Sequence, residues 1–180
     1  MKTMPTALAV TYALAASAAL AHDPRTAARE LEQALVLEGL GRLELKYKAM
    51  HWNPTAYDRF QTDSAVRERV NTNVWSAIGT LTNGFDVTVG GLAVPKGSYP
   101  FGIRIEGADK FSLVLKLGAE TKTIPFEVST GGAPTEYLSF ALFPTGRPDT
   151  FTLEGRCGSF RGISALTVPH LTGHDPEKPH

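Results

Sequence analysis

The chain has 180 residues, 42% of them hydrophobic and 20% charged, a length typical of one domain that can bury a sizeable core. Its 18 lysines and arginines balance its 18 aspartates and glutamates, so the formal net charge is zero. Because no basic cluster interleaved with aromatic residues is present either, the composition argues against nucleic acid as a partner.

The first 21 residues have the pattern of a signal peptide. Lys2 supplies a positive charge, residues 7–20 are almost uniformly apolar, and Ala19-Leu20-Ala21 offers small residues for cleavage before His22. The apolar run is shorter than the roughly 20 residues that span a bilayer. The pattern therefore predicts a secreted or periplasmic protein with no membrane span after cleavage.

Residues 22–41 are predicted to form an N-terminal helical segment. Asp23 can cap a helix that begins at Pro24 and continues to about Leu37, and two glycines follow that helix. The residues that would share its apolar stripe are Ala28, Leu31, Ala34 and Leu35. We expect this stripe either to pack on a sheet or to remain partly disordered.

From Arg42 the apolar period changes to two, and residues 42–168 are predicted to form an antiparallel β-sandwich or partly closed barrel. Tight connections such as Gly90-Gly91 favour antiparallel pairing. The strand-like stretches lie near residues 42–49, 74–82, 86–94, 98–106, 111–117, 124–128, 137–143, 151–157 and 160–168. Of these, 137–143 is apolar on both faces, as in a central strand, and a loop is predicted at 131–134. The tail, 169–180, is rich in proline and charge and is predicted to be disordered.

One long stretch, residues 55–73, has no clear period, and both a long loop and a short helical turn fit it. Irregular segments of this length in compact domains often line functional sites. We therefore predict that the recognition surface lies between His51 and Trp75. The predicted ligand-binding residues are His51, Trp52, Tyr57 and Trp75.

No catalytic or cofactor motif is present: the chain lacks a nucleophile elbow, a phosphate-binding loop and a dinucleotide fingerprint. The acidic residues Asp58, Asp63 and Glu68 could line a carbohydrate-type cleft or belong to a solvated loop. Cys157, the single cysteine, is predicted to be a small buried apolar side chain rather than a reactive thiol. These features favour a non-catalytic module that binds a small molecule or an envelope partner, with no cofactor.

The alternative is a secreted copper protein or enzyme. If cleavage follows Ala21, the mature chain begins with His22, whose amine and imidazole could both bind Cu(II). This arrangement resembles the copper brace of secreted oxidative polysaccharide enzymes and periplasmic copper carriers, which need a second histidine. His51 is the candidate for that second ligand. The competing interpretation is that cleavage merely happens to expose His22 and that His51 is a strand-end core histidine.

Two turn motifs carry a resemblance to a known family. Residues 86–91 (DVTVGG) and 94–99 (VPKGSY) resemble the D-V-x-V-x-G and L-P-x-G-x-Y elements of the bacterial family called domain of unknown function 2911. Residues 111–115 stand where a tryptophan strand begins in that family, and Trp75 stands near its W-R-x-G-A-N element, whose polar part is replaced here by Ser76-Ala77-Ile78-Gly79. The resemblance implies an exported β-sandwich of unknown activity.

Overall fold

A computed structural model describes residues 29–107, 109–169 and 171 of the chain. The signal-peptide prediction, His22 and most of the tail lie outside these residues. The described chain is mostly strand, with two short helices. Its elements are, in order, β1 (Arg29–Leu37), β2 (Gly41–Ala49), α1 (Pro54–Thr62), α2 (Ser64–Asn73), a 3-10 helix (Trp75–Ala77), β3 (Gly79–Asn83), β4 (Val87–Val89), β5 (Leu92–Val94), β6 (Gly97–Gly107), β7 (Lys110–Leu117), β8 (Glu120–Pro125), β9 (Glu127–Pro144) and β10 (Thr150–Thr167). Neither α1 nor α2 has the length and apolar character needed to cross a membrane.

Two antiparallel sheets form the fold, and the predicted all-β sandwich is confirmed. Sheet I has the strand order β1-β2-β3-β6-β7-β8, and sheet II the order β5-β4-β10-β9. Alternation along each strand turns one row of apolar side chains toward the opposite sheet. The largest fully buried members of this core are Tyr47, Phe140, Leu43, Ile105, Ile124, Leu138 and Leu166.

The β4–β5 hairpin is formed as the sequence predicts. Val87 pairs with Val94 and Val89 with Leu92 across two glycines. Gly90 and Gly91 have φ angles of 53° and 86°, which a two-residue turn of this hand requires.

The N-terminal helix prediction is wrong where the structure describes the chain. Arg29–Leu37 is strand β1, which pairs with β2 along its whole length. Leu31 and Leu35, assigned to a helical stripe, also alternate at strand period and lie opposite Tyr47 and Leu43. The glycines expected to stop a helix instead form a hairpin turn, in which Gly39 has a φ of 75°.

Three segments in the second half of the domain also differ from the predicted strands and loop. Residues 131–134 are not a separate loop but extended chain within β9, bulged between the Thr130–Phe160 and Thr135–Gly158 pairs. The stretch 137–143 is not central, because β9 is the last strand of sheet II. Its outer side meets the chain in a short bridge at Tyr137, but Phe143 is 47% exposed. The predicted strand 124–128 is divided at Phe126, where the chain crosses from sheet I to sheet II.

Two ends of predicted segments also differ. The strand expected over 74–82 begins with the 3-10 helix and becomes extended at Gly79. At the other end of the domain, Leu171 packs against the core, and its amide donates to the carbonyl of Val168 at 3.2 Å. Leu171, which falls within the predicted disordered tail, therefore has a defined place against the core.

Candidate functional site

The site is built where the chain leaves sheet I. After β2 the next three residues, 50–52, pair with β9 of sheet II instead of with a neighbour in sheet I. The amide of Leu138 donates to the carbonyl of Met50, and the amide of Trp52 donates to that of Glu136, both at 2.8 Å. This crossing places His51 and Trp52 at the junction of the two sheets.

The undecided stretch after Pro54 forms two helices with clear caps. The side chain of Asn53 accepts from the amide of Ala56 at 3.0 Å, and Pro54 takes the first helical position of α1. Asp63 ends α1 and caps α2 by accepting from the amides of Ala65 and Val66. The helices are short and polar, so contacts with sheet I must hold them in place.

Asn71 joins α2 to sheet I. Its side-chain amide donates to the carbonyl of Ile105 and accepts from the amide of the same residue, both at 2.9 Å. The Asn71 side chain thus pairs with both backbone polar groups of Ile105, as a residue of a neighbouring strand would. Gly102 allows the 3-10 helix to approach the same strand, since a Cβ there would lie 2.0 Å from the carbonyl oxygen of Trp75.

Between these helices and sheet II lies a cavity of about 150 Å³, which we call the aromatic cavity. Its lining residues are Met50, His51, Trp52, Asn53, Ala56, Tyr57, Phe60, Trp75 and Cys157. All four residues predicted to bind a ligand from sequence therefore line one space. The lining is mainly apolar, with the polar groups of His51 and Asn53 exposed at its edge.

Trp52 is held in one wall of the aromatic cavity by ring contacts and by a glycine. Its ring centroid lies 5.0 Å from that of Tyr57 and 5.7 Å from that of Phe160. Gly158, with a φ of 59°, lies beneath the indole, and a Cβ at this position would approach the ring to 2.4 Å. A bulge in β10 and a glycine thus make room for Trp52.

Tyr57 supports the cavity but offers no free polar group. It is buried, its ring lies 5.0 Å from that of Phe160, and its hydroxyl donates to the carboxylate of Asp109. Burial and the neighbouring Asp109 carboxylate raise the pKa of Tyr57 far above its ordinary value. The phenol therefore stays protonated and bonded, and only the ring face is available for contacts.

His51 lies at the exposed edge of the aromatic cavity. Its imidazole packs edge-on against Tyr137, and Nε2 lies 3.5 Å from a carboxylate oxygen of Glu136. Within the described parts of the chain, no group of three or more histidine, cysteine, aspartate or glutamate side chains is arranged to hold a metal ion. Of the two predicted copper ligands, His51 is described by the structure and His22 lies outside the described residues.

The thiol of Cys157 faces the same cavity. Burial raises its pKa to about 12, so it remains protonated at neutral pH. Cys157 is partly buried and packs against the core, which fits the predicted packing role but not full burial.

The three carboxylates of the helical segment do not line the cavity. Asp63 caps α2, Glu68 forms an ion pair with Arg104 at 3.2 Å, and Asp58 is exposed. The carbohydrate-type cleft of paired carboxylates is therefore absent from the described segment.

Sequence reasoning did not identify Asn71, Gly158 or Phe160 as parts of this site. Asn71 is an amide in a polar stretch, and its burial follows from the docking of α2 on β6 rather than from any local pattern. The stretches 151–157 and 160–168, predicted as separate strands, form the single strand β10, in which Gly158 lies between two register shifts instead of ending a strand.

Comparison with known proteins found no match to any family model, to any curated protein or to any solved structure.

Proposed function

We propose that this chain is an exported, non-catalytic binding module whose aromatic cavity receives a ring-sized, mainly apolar group of a small ligand or envelope partner. The observation that carries the proposal is the convergence of Trp52, Trp75 and His51 on one space of about 150 Å³. An apolar cavity of roughly 150 Å³ accommodates a molecule the size of benzene. Binding pockets of this kind combine apolar walls with a few polar groups at the edge.

The state of the polar groups favours binding over catalysis. The Tyr57 hydroxyl is bonded to Asp109, and the Cys157 thiol is protonated at neutral pH because burial raises its pKa. Neither group can serve as a general base or a nucleophile in this form. The resemblance to the family of unknown function and the apolar N-terminal run support export.

Intrinsic fluorescence tests the proposal directly, because both tryptophans of the chain line the aromatic cavity. Titration with benzyl alcohol, cyclohexanol and methyl β-glucoside should give a saturable change in emission with the ring-sized apolar probes. A larger response to the glucoside would indicate that the cavity receives a sugar rather than an apolar group. No saturable change with any probe would overturn the proposal.

A variant that fills the cavity provides the control. Ala56→Phe adds a ring to the lining of the cavity from α1 and should abolish the saturable response. Ala65→Phe places the same side chain on an exposed position of α2 and should leave the response unchanged. An unchanged response in the first variant would show that the probes bind elsewhere.

The copper alternative needs a different measurement. Mass spectrometry of the mature N-terminus followed by a Cu(II) titration distinguishes the two functions, since a brace requires His22 as the first residue. Copper binding that His51→Ala abolishes would favour the metal protein. A mature chain that begins elsewhere would remove this alternative.

A further inference from the structure

A second cluster of charged residues lies on β10, away from the aromatic cavity. The carboxylate of Glu154 is 6% exposed and lies between two arginines. Arg156 Nε is 2.5 Å from one of its oxygens, while Arg161 Nε and Nη2 are each 2.7 Å from the other. The strand bends at its bulges, which allows residues seven positions apart to share one carboxylate.

We infer that Arg156 and Arg161, oriented by buried Glu154, form a binding site for a small oxyanion such as a phosphate or carboxylate group. Each arginine side chain is 44% exposed. The N–H edges of the guanidinium groups that do not contact Glu154 can therefore reach solvent. A guanidinium has five N–H donors, and Glu154 engages only one or two of them on each arginine. Within the described residues no other hydrogen bond or ion pair uses the remaining donors.

The charges of the cluster favour an anion. Two guanidinium groups and one carboxylate leave one net positive charge. The buried carboxylate holds each guanidinium in a fixed orientation, which lowers the entropy lost when a ligand is bound. Paired arginines suit oxyanions because planar forks of N–H groups match two oxygens at once.

The neighbouring surface supplies hydroxyls and space. Ser139 lies opposite Arg156 and Ser129 opposite Arg161 on β9, on the same face of the sheet as the arginines. The Ser129 hydroxyl already donates to the carbonyl of Arg161 at 3.3 Å, so it can only accept from a ligand. Thr152 precedes Glu154 by two residues, and Ile163 follows Arg161 by two. Both line a cleft of about 330 Å³. An anion held by the arginines therefore has room for an attached group in this cleft.

One acidic residue opposes such binding. Glu127, opposite Ile163, also lines the cleft and is exposed. A ligand with a hydrogen-bond donor beside its anionic group would suit this arrangement better than a second anionic group would.

NMR titration of the full chain with inorganic phosphate at constant ionic strength tests the inference. The Nε–Hε signals of Arg156 and Arg161 should shift and saturate, while that of Arg147 should not. Arg147 is the matched reference, because its Nε lies 3.5 Å from the buried carboxylate of Asp149 without a second arginine. Shifts that stay linear, or that are equal at all three arginines, would overturn the site, and this result requires no variant.

Conservative variants provide the second readout. Arg156→Lys and Arg161→Lys keep the charge beside Glu154 but remove the fork, so phosphate affinity should fall about tenfold. Arg147→Lys should bind as the unsubstituted chain does. Equal affinity in all three would show general charge attraction and contradict a built site. Parallel titrations with acetate and methyl phosphate assign the preferred oxyanion, whichever binds more tightly.

Discussion

A single buried amide holds the helical wall of the aromatic cavity on the sheet. Asn71 forms both of its hydrogen bonds with the backbone of Ile105, and no periodic pattern in the sequence indicates this contact. A buried polar group of this kind fixes one docking position for α2, because any shift leaves donors and acceptors unpaired.

Replacing this amide should destabilise the domain clearly. Asn71→Ala leaves the amide and carbonyl of Ile105 without partners, and we expect the free energy of unfolding to fall by about 2–3 kcal/mol. Urea denaturation measures the change. The exposed Asn73→Ala on the same helix is the control and should cost less than about 0.5 kcal/mol. Equal costs would mean that the Asn71 hydrogen bonds add nothing to stability.

Gly158 lies against the Trp52 indole, where an added side chain would meet the ring. In Gly158→Ala the new Cβ meets the Trp52 ring, whereas Gly131→Ala, also at positive φ, adds a methyl group to open space. Both variants bear backbone strain, but the first should lose about 1–3 kcal/mol more and should change tryptophan emission. Thermal unfolding with fluorescence detection separates them. Matching stabilities would indicate that the indole moves aside without cost.

Among the elements, those with strict alternation were predictable from sequence. The apolar face of β2 and the β4–β5 hairpin agree with the structure because local pattern and tertiary pairing favour the same conformation. Strand β1 was assigned to a helix because its leucines fit both periods, and only its pairing with β2 decides between them. The four predicted ligand-binding residues line one cavity, but the docking contacts that form this cavity are long-range and have no sequence pattern.

Strand β10 contributes a dependence of stability on pH. Burial alone raises the pKa of Glu154, but the hydrogen bonds and charges of Arg156 and Arg161 outweigh burial and leave the pKa below its ordinary value. A lowered folded-state pKa adds stability above the unfolded value of about 4.3, and this stability is lost as the pH falls through the folded value.

Glu154→Gln should reveal this contribution. The variant should be less stable than the unsubstituted chain near neutral pH, and the difference should shrink as the pH falls below about 4. Urea denaturation at several pH values measures it. Glu120→Gln is the control, because Glu120 is exposed, pairs with Lys122 and should contribute little. A difference that does not change with pH would contradict the ionised role of Glu154.

For the whole molecule, the strands of sheet I differ in how firmly they are held. β6 and β7 lie inside sheet I and carry much of the core, whereas most residues of β1 are exposed and its one strand partner in the described chain is β2. Local opening is favoured where few apolar contacts are lost.

Backbone amides should therefore exchange hydrogen at different rates in different strands of sheet I. The amides of β1 should exchange faster than those of β6 and β7, and addition of a reducing agent should change neither group because the chain has one cysteine. Mass spectrometry of peptic fragments measures the rates. Equal protection in β1 and β6 would show that the first strand unfolds only with the whole domain.

Strand β1 also affects how readily folded molecules associate with one another. Among the described residues, β1 has a strand partner on one side, and the nine-residue edge on its other side is a template for another chain. The negative charge of Glu30 discourages such growth, since two copies brought edge to edge would place these carboxylates near one another. Glu32 is instead paired with Arg42 and Lys46. The strand that ends sheet I is therefore also the place where association between folded molecules would begin.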